Sequence, residues 1–230
     1  MKLPSYPELT TIARLLPSPS ILLGEELVWT EKRDGSNLRL AIVDNELAVA
    51  TRHQDIASKE FQDRLRATGE ASKVEELIRD NIKEWGTELV VFGEILLKGK
   101  SPARFETHDK DEFVVFDAYN MKDGQFIPYT LLYQHCYHYG LQVVEAWGRS
   151  RHVSVESLYS MRDKMLDVAK EVGREGVVVK ASGVAYAKEK LDLPPTPKVV
   201  SIDIGNVVLP ALADSELMGA VAKAHADLGV

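Results

Sequence analysis

Apolar and polar positions alternate along this chain with two periods, and the switches between them predict its elements. Residues 26–32, with Leu27, Val28 and Trp29 together, read as a strand that gives way to a loop at Lys32. Residues 37–43 and 46–51 flank Asp44-Asn45, a pair suited to a tight turn, and predict a hairpin. Residues 58–66 and 72–85 have helical spacing, the second with Val74, Leu77, Ile78 and Ile82 on one face. Residues 88–96 and 112–119 are apolar, β-branched runs, the signature of strands buried on both faces or lining a deep cleft. A turn region over 121–128 precedes a helix over 129–139 ended by Gly140, and a strand over 141–146 follows. Residues 155–172 form a longer helix stopped by Gly173, and 176–180 a further strand. Pro194, Pro195 and Pro197 break the chain before a last strand, 199–204, and a terminal helix, 215–228. The first 25 residues, with Pro4, Pro7, Pro17 and Pro19, read as a lead-in wrapped on the domain. The mixture is α+β with antiparallel sheet.

Composition narrows this picture. A chain of 230 residues suits one domain, expected over 1–205, with a short helical tail over 206–230. No segment approaches the roughly 20 apolar residues of a membrane span, and the N-terminus lacks the apolar stretch of a secretory signal. Cys136 is the only cysteine, so no internal disulfide forms and a cytoplasmic setting is expected. The net charge of −7 argues against nonspecific coating of nucleic acid. It leaves room for a local basic groove, because charge is felt over about 8 to 10 Å.

The candidate chemistry starts at Lys32, in the run Glu31-Lys32-Arg33-Asp34-Gly35-Ser36-Asn37. A lysine near its usual pKa of about 10.4 is protonated and cannot attack phosphorus. Desolvation, a neighbouring cation or a metal must depress it. Lys32 has Arg33 beside it and an apolar strand before it. Gly35 is expected to leave space where a phosphate approaches the backbone, while Ser36 and Asn37 add donors. Taken alone, the run is equally a surface turn.

Order and spacing of further segments change that balance. The chain resembles the covalent nucleotidyltransferases, which comprise ATP-dependent DNA ligases, RNA ligases and mRNA-capping enzymes. The family motif lysine-any-aspartate-glycine stands as Lys32-Arg33-Asp34-Gly35, followed in order by Thr51-Arg52, Val91-Phe92-Gly93-Glu94, Val114-Val115-Phe116-Asp117 and Glu175-Gly176-Val177-Val178-Val179-Lys180. The resemblance implies an ATP-grasp-like nucleotidyltransferase domain with antiparallel sheets flanking a nucleotide cleft. It also implies roles. Lys32 is the nucleophile, and Arg52 binds ribose or phosphate through its planar fork. Glu94 takes the ribose hydroxyls, Phe116 stacks on the base, and Glu175 helps bind Mg2+ or Mn2+. Glu31, Asn37 and Lys180 complete the nucleotide-binding set. A closing lysine-any-lysine strand falls on Lys188 and Lys190, with Lys198 the alternative. Without the motif register, Phe116 reads as plain core and Arg52 as a strand-end charge.

DNA ligases and capping enzymes usually carry arginine where this chain has Asn37, and Gly35-Ser36-Asn37 looks like the RNA ligases that seal nicks in double-stranded RNA. Arg39 is a possible substitute that keeps the DNA-ligase alternative open. Only 32 residues follow Lys198, fewer than the roughly 70 of an appended oligonucleotide-binding barrel, so no OB-fold domain is expected. The expected activity is ATP-dependent ligation of 5′-phosphate and 3′-hydroxyl ends of nucleic acid, RNA preferred, through lysyl-AMP. Partner proteins or a homodimer through the C-terminal tail, spaced by Leu217, Val221 and Leu228, would aid substrate grip. Lys98, Lys100 and Arg104 are either phosphate contacts or a solvated loop. Two rivals differ in class: a noncatalytic nucleic-acid-binding protein, disfavoured by intact Lys32, Glu94 and Glu175, and a zinc protein built on His135, Cys136 and His138, which lack a nearby fourth ligand.

Overall fold

The computed structural model describes residues 3–7, 9–15, 18–103, 106–181 and, for the main chain, 186–190. The chain divides into two compact units, Met1–Tyr6 with Arg33–Val144, and Pro7–Lys32 with Glu145–Val230. It crosses between them at Tyr6–Pro7, at Lys32–Arg33 and at Val144–Glu145. The expected strand over 199–204, the helix over 215–228 and the tail over 206–230 lie outside the described residues.

The unit holding residues 33–144 is built on a five-stranded antiparallel sheet in the order β3-β2-β4-β5-β6. Its strands are β2 (Ser36–Val43), β3 (Glu46–Thr51), β4 (Leu89–Leu96), β5 (Glu112–Asn120) and β6 (Gln125–Phe126). The β2–β3 hairpin turns at Asp44 and Asn45, with φ of 50° and 66°, the left-handed pair that matches strand twist. One face carries Leu38, Leu40, Val91 and Ile95 and is covered by α1 (Lys59–Ala67), α2 (Glu70–Trp85) and α3 (Tyr129–His138). The other carries Ala41, Val90 and Phe92, over which Leu3 and Tyr6 of the N-terminal segment pack. Both faces are therefore buried along β4, as its unbroken apolar run predicts. Ser58 caps α1 by accepting from the Phe61 N–H, and Gly86 ends α2 at φ 59°.

The second unit has a four-stranded antiparallel sheet in the order β7-β1-β8-β9. Its strands are β1 (Leu27–Lys32), β7 (Ala146–Ser150), β8 (Gly176–Ala181) and β9 (Tyr186–Lys190). Helix α4 (Val155–Glu171) packs Leu158, Met165 and Leu166 against Leu27, Trp29, Val177 and Val179. By strand alternation the opposite face of this sheet carries Val28, Thr30 and Lys32 on β1, and Val178 and Lys180 on β8.

One strand falls later than the periodicity predicts. The apolar run at 141–146 makes a single parallel bridge, Val143 to Val115, and packs Leu141 into the first unit's core. The strand proper, β7, begins at Ala146, after the crossover. Apolar residues there serve burial in one unit, and the pairing partner of β7 is supplied by another.

Candidate functional site

The second unit brings Lys32 and Glu175 together. Lys32 ends β1 opposite Gly176, the first residue of β8, so Glu175 stands immediately before that strand. The Lys32 ammonium donates to the Glu175 Oε2 carboxylate oxygen. Glu175 is 3% exposed, and burial of a carboxylate is tolerated because it is paired. Lys180 is buried on the same sheet face as Lys32, opposite Val28. On β9, Lys190 stands opposite Gly176 and therefore in the cross-strand row of Lys32, with Lys188 in the row of Val178 and Thr30. Lys198 lies outside the described residues.

Glu31 points to the other face of β1. Its Oε2 accepts from Arg174 Nε at 2.7 Å and its Oε1 from the Glu145 N–H at 3.2 Å. Arg174 was not singled out by sequence, because nothing local marks a partner 143 positions away.

The first unit gathers Asn37 and Glu94, which face each other directly across β2 and β4. The Asn37 Oδ1 is buried with no hydrogen-bond partner among the described residues, an orphan acceptor inviting an external donor. Arg52 is half-buried in the bend just after β3. Phe116 is half-buried on β5, stacked with Phe92 (centroids 6.4 Å, 29°) and met edge-on by Tyr6 at 4.9 Å. Tyr6 in turn donates its hydroxyl to Asp117 Oδ2 at 3.0 Å, so an aromatic wall from the N-terminal segment adjoins the predicted base-stacking ring.

Two residues of the lysine run act differently from expectation. A Cβ at Gly35 would lie 2.6 Å from the Ile95 carbonyl oxygen and 2.8 Å from Glu94 Cγ. The space is therefore filled by β4, and glycine is required by close packing of chain on chain rather than by approach of a phosphate. Asp34 is 2% exposed and wholly internal in its bonding. Its carboxylate accepts from the Ala103 N–H at 2.8 Å and from the Ser101 hydroxyl, its N–H donates to Glu106 Oε1 at 2.9 Å, and its carbonyl accepts from His108 Nε2 at 2.9 Å.

Arg39 is equally committed. Its guanidinium donates to the Leu3 carbonyl at 2.5 Å, to Ser5 Oγ at 2.9 Å and to Asp55 at 2.9 Å, and its side chain is 2% exposed. It ties the N-terminal segment to the sheet, so it does not replace the arginine that Asn37 displaces.

Among the described residues no three His, Cys, Asp or Glu side chains form a metal cage. A single buried carboxylate at Glu175 fits a hard divalent cation that draws its other ligands from phosphates and water. On α3, Cys136 is buried in the core while His135 packs edge-on against Trp85, so these two zinc candidates diverge. Lys100 pairs with Glu60 at the surface, and Arg104 lies outside the described residues.

Sheet order, the lysine at the end of β1 and the carboxylate before β8 define an α+β nucleotidyltransferase domain. The profile of the family described as RNA ligase matches residues 25–192, and the chain belongs to that family. No curated protein sequence matches it. Among solved structures it is similar to a variant of the Naegleria gruberi RNA ligase with ATP and Mn, at 16% identity and TM-score 0.64, over 82% of this chain and 55% of that one. An archaeal ATP-dependent RNA ligase aligns at 22% identity and TM-score 0.62, over 82% of this chain and 48% of that one. The chain thus spans about half the length of these ligases.

Proposed function

We propose that this chain is an ATP-dependent RNA ligase whose Lys32 becomes adenylylated. The observation that carries the reading is the Lys32–Glu175 pair at the paired ends of β1 and β8, in a domain of the RNA ligase family. Glu175 holds the Lys32 amine in place by accepting its hydrogen bond. With its ammonium proton passed to water, Nζ attacks the α-phosphorus of ATP, a P–N bond forms, the bond to the bridging oxygen breaks, pyrophosphate leaves, and the surplus N–H proton passes to solvent. Glu175 would hold a divalent cation entering with the triphosphate, which would supply charge neutralisation there. Lys180, Lys188 and Lys190 supply positive charge for the α-phosphate as charge develops on it. Asn37, Arg52, Glu94 and Phe116 contact the nucleotide, with Glu94 accepting from ribose hydroxyls and Phe116 stacking on the base.

AMP then passes from Lys32 to a 5′-phosphate, and a 3′-hydroxyl displaces it to close the phosphodiester. The acceptor is RNA, because Asn37 stands where DNA ligases carry arginine and Arg39 is bound to the N-terminal segment. A reducing, cytoplasmic setting suits the buried free thiol of Cys136.

With α-labelled ATP and Mg2+ the protein acquires label, and Lys32→Ala abolishes it. Absence of adduct from unmutated protein with ATP, GTP and NAD alike would end this reading. Nicked duplexes with RNA on the 3′-hydroxyl side seal faster than all-DNA nicks; equal sealing of the two would return the DNA-ligase alternative.

A further inference from the structure

The bonds around Asp34 place a second group of residues in the service of Lys32, none of them in the motifs that mark the family resemblance. We propose that Glu106, with His108, is a positioning residue for the nucleophile: together with Ser101 and the Ala103 N–H they clamp the turn that leaves Lys32. The inference rests on the reading of Lys32 as the adenylylated residue.

Glu106 is 9% exposed, and its carboxylate accepts from Arg33 Nε at 2.9 Å and from the Asp34 N–H at 2.9 Å. These are the first two residues after Lys32. His108, 7% exposed, takes the Asp34 carbonyl through Nε2, and because a carbonyl only accepts, that nitrogen carries the proton. Ser101 and the Ala103 N–H hold the Asp34 side chain. Every polar group of Asp34 is thus engaged from one stretch of chain, while Gly35 is pressed on β4.

Such saturation has a physical reading. Loops ordinarily leave their peptide groups to water and sample many conformations. Here the Arg33–Asp34 peptide, one removed from the lysine, donates its N–H to the Glu106 carboxylate, a bond stronger than a neutral one. In-line attack on phosphorus is sensitive to placement, since a misplacement of about 1 Å costs roughly 10²-fold in rate. The clamp therefore acts on the rate at which bound ATP is attacked rather than on ATP affinity. The stretch is itself anchored: Arg64 grips Asp111 through Nε and Nη2 at 2.7 and 2.6 Å, and Asp111 accepts from the Lys98 N–H at 2.8 Å.

The test is single-turnover lysyl-AMP formation across a range of ATP concentrations, with melting temperature measured on each variant. Glu106→Ala is expected to slow adduct formation at saturating ATP by about 10- to 100-fold, with half-saturation within about threefold of the unmutated value. Glu106→Gln keeps an acceptor for the Asp34 N–H and recovers part of that loss, and His108→Ala falls between. Should Glu106→Ala fail to fold, the latter two variants carry the test. Unmutated rates at saturating ATP in folded variants overturn the inference, as does a loss expressed only in the ATP half-saturation. If the unmutated chain itself forms no adduct, the ligase reading falls and this inference with it; adduct from the unmutated chain with indifferent variants overturns the clamp alone.

Discussion

At the scale of single residues, the lysine run divides its labour. Lys32 is the proposed nucleophile, Asp34 and Gly35 carry geometry, and Asn37 offers an orphan carbonyl oxygen opposite Glu94. Gly35→Ala tests the second role: its Cβ meets backbone at 2.6 Å, which cannot yield as a flexible side chain would. The variant is expected to lose adenylylation by at least tenfold, read by label incorporation, with a lowered melting temperature. Arg39→Met tests the N-terminal clasp. Removing the guanidinium leaves the Leu3 carbonyl without its donor, an expected cost of roughly 1–3 kcal/mol in the urea-derived unfolding free energy. Because Leu3 and Tyr6 pack on the face that holds Phe92 and Phe116, the same variant should also weaken ATP binding.

At the scale of elements, a chain of side chains locks β7 and α4 onto β1. Trp29 Nε1 donates to Ser150 Oγ at 2.8 Å, Ser150 pairs with His152 Nε2 at 2.7 Å, and His152 Nδ1 with Ser157 Oγ at 3.1 Å in the first turn of α4. Burial pushes the His152 imidazole below its usual 6.5. The unfolded chain therefore binds the proton at higher pH than the folded one. Stability from this group is complete above about pH 6.5 and is lost as pH falls from there through the folded value. His135, lowered by burial and by His138, acts in the same direction. Urea midpoints measured at pH 7.5 and 5.5 should fall with acidification, and His152→Asn should flatten part of that slope. An unchanged slope in the variant would assign the effect elsewhere.

At the scale of the whole molecule, each unit has its own sheet and its own core, and the polypeptide passes between them directly after Lys32. Ligand linkage tests the proposed nucleotide-binding residues. ATP with Mg2+ should raise the melting temperature of Lys32→Ala, which binds without reacting, by an amount equivalent to about 2.7 kcal/mol at 100 times the dissociation constant. Arg52→Ala and Lys190→Ala should each reduce that shift. A shift unaffected by one of them would remove that residue from the nucleotide set.

Much of this was legible from local order. The positive-φ turn at Asp44 and Asn45, the doubly buried run of β4, Lys32 at the end of a strand and the succession of motifs leading to Glu175 are properties of neighbours in sequence, and short-range sterics and periodicity express them directly. Tertiary structure alone decided the partners. Glu175 lies 143 positions from Lys32, Glu106 lies 72 from Asp34, and Arg39 reaches back 36 to Leu3. No periodicity couples such positions, and the same polar residue types suit a solvated loop equally well. Which carboxylate holds the lysine, which arginine is spent on structure and why residue 35 must be glycine depend on packing that brings distant strands within bonding distance, where burial makes an unpaired polar group too costly to leave.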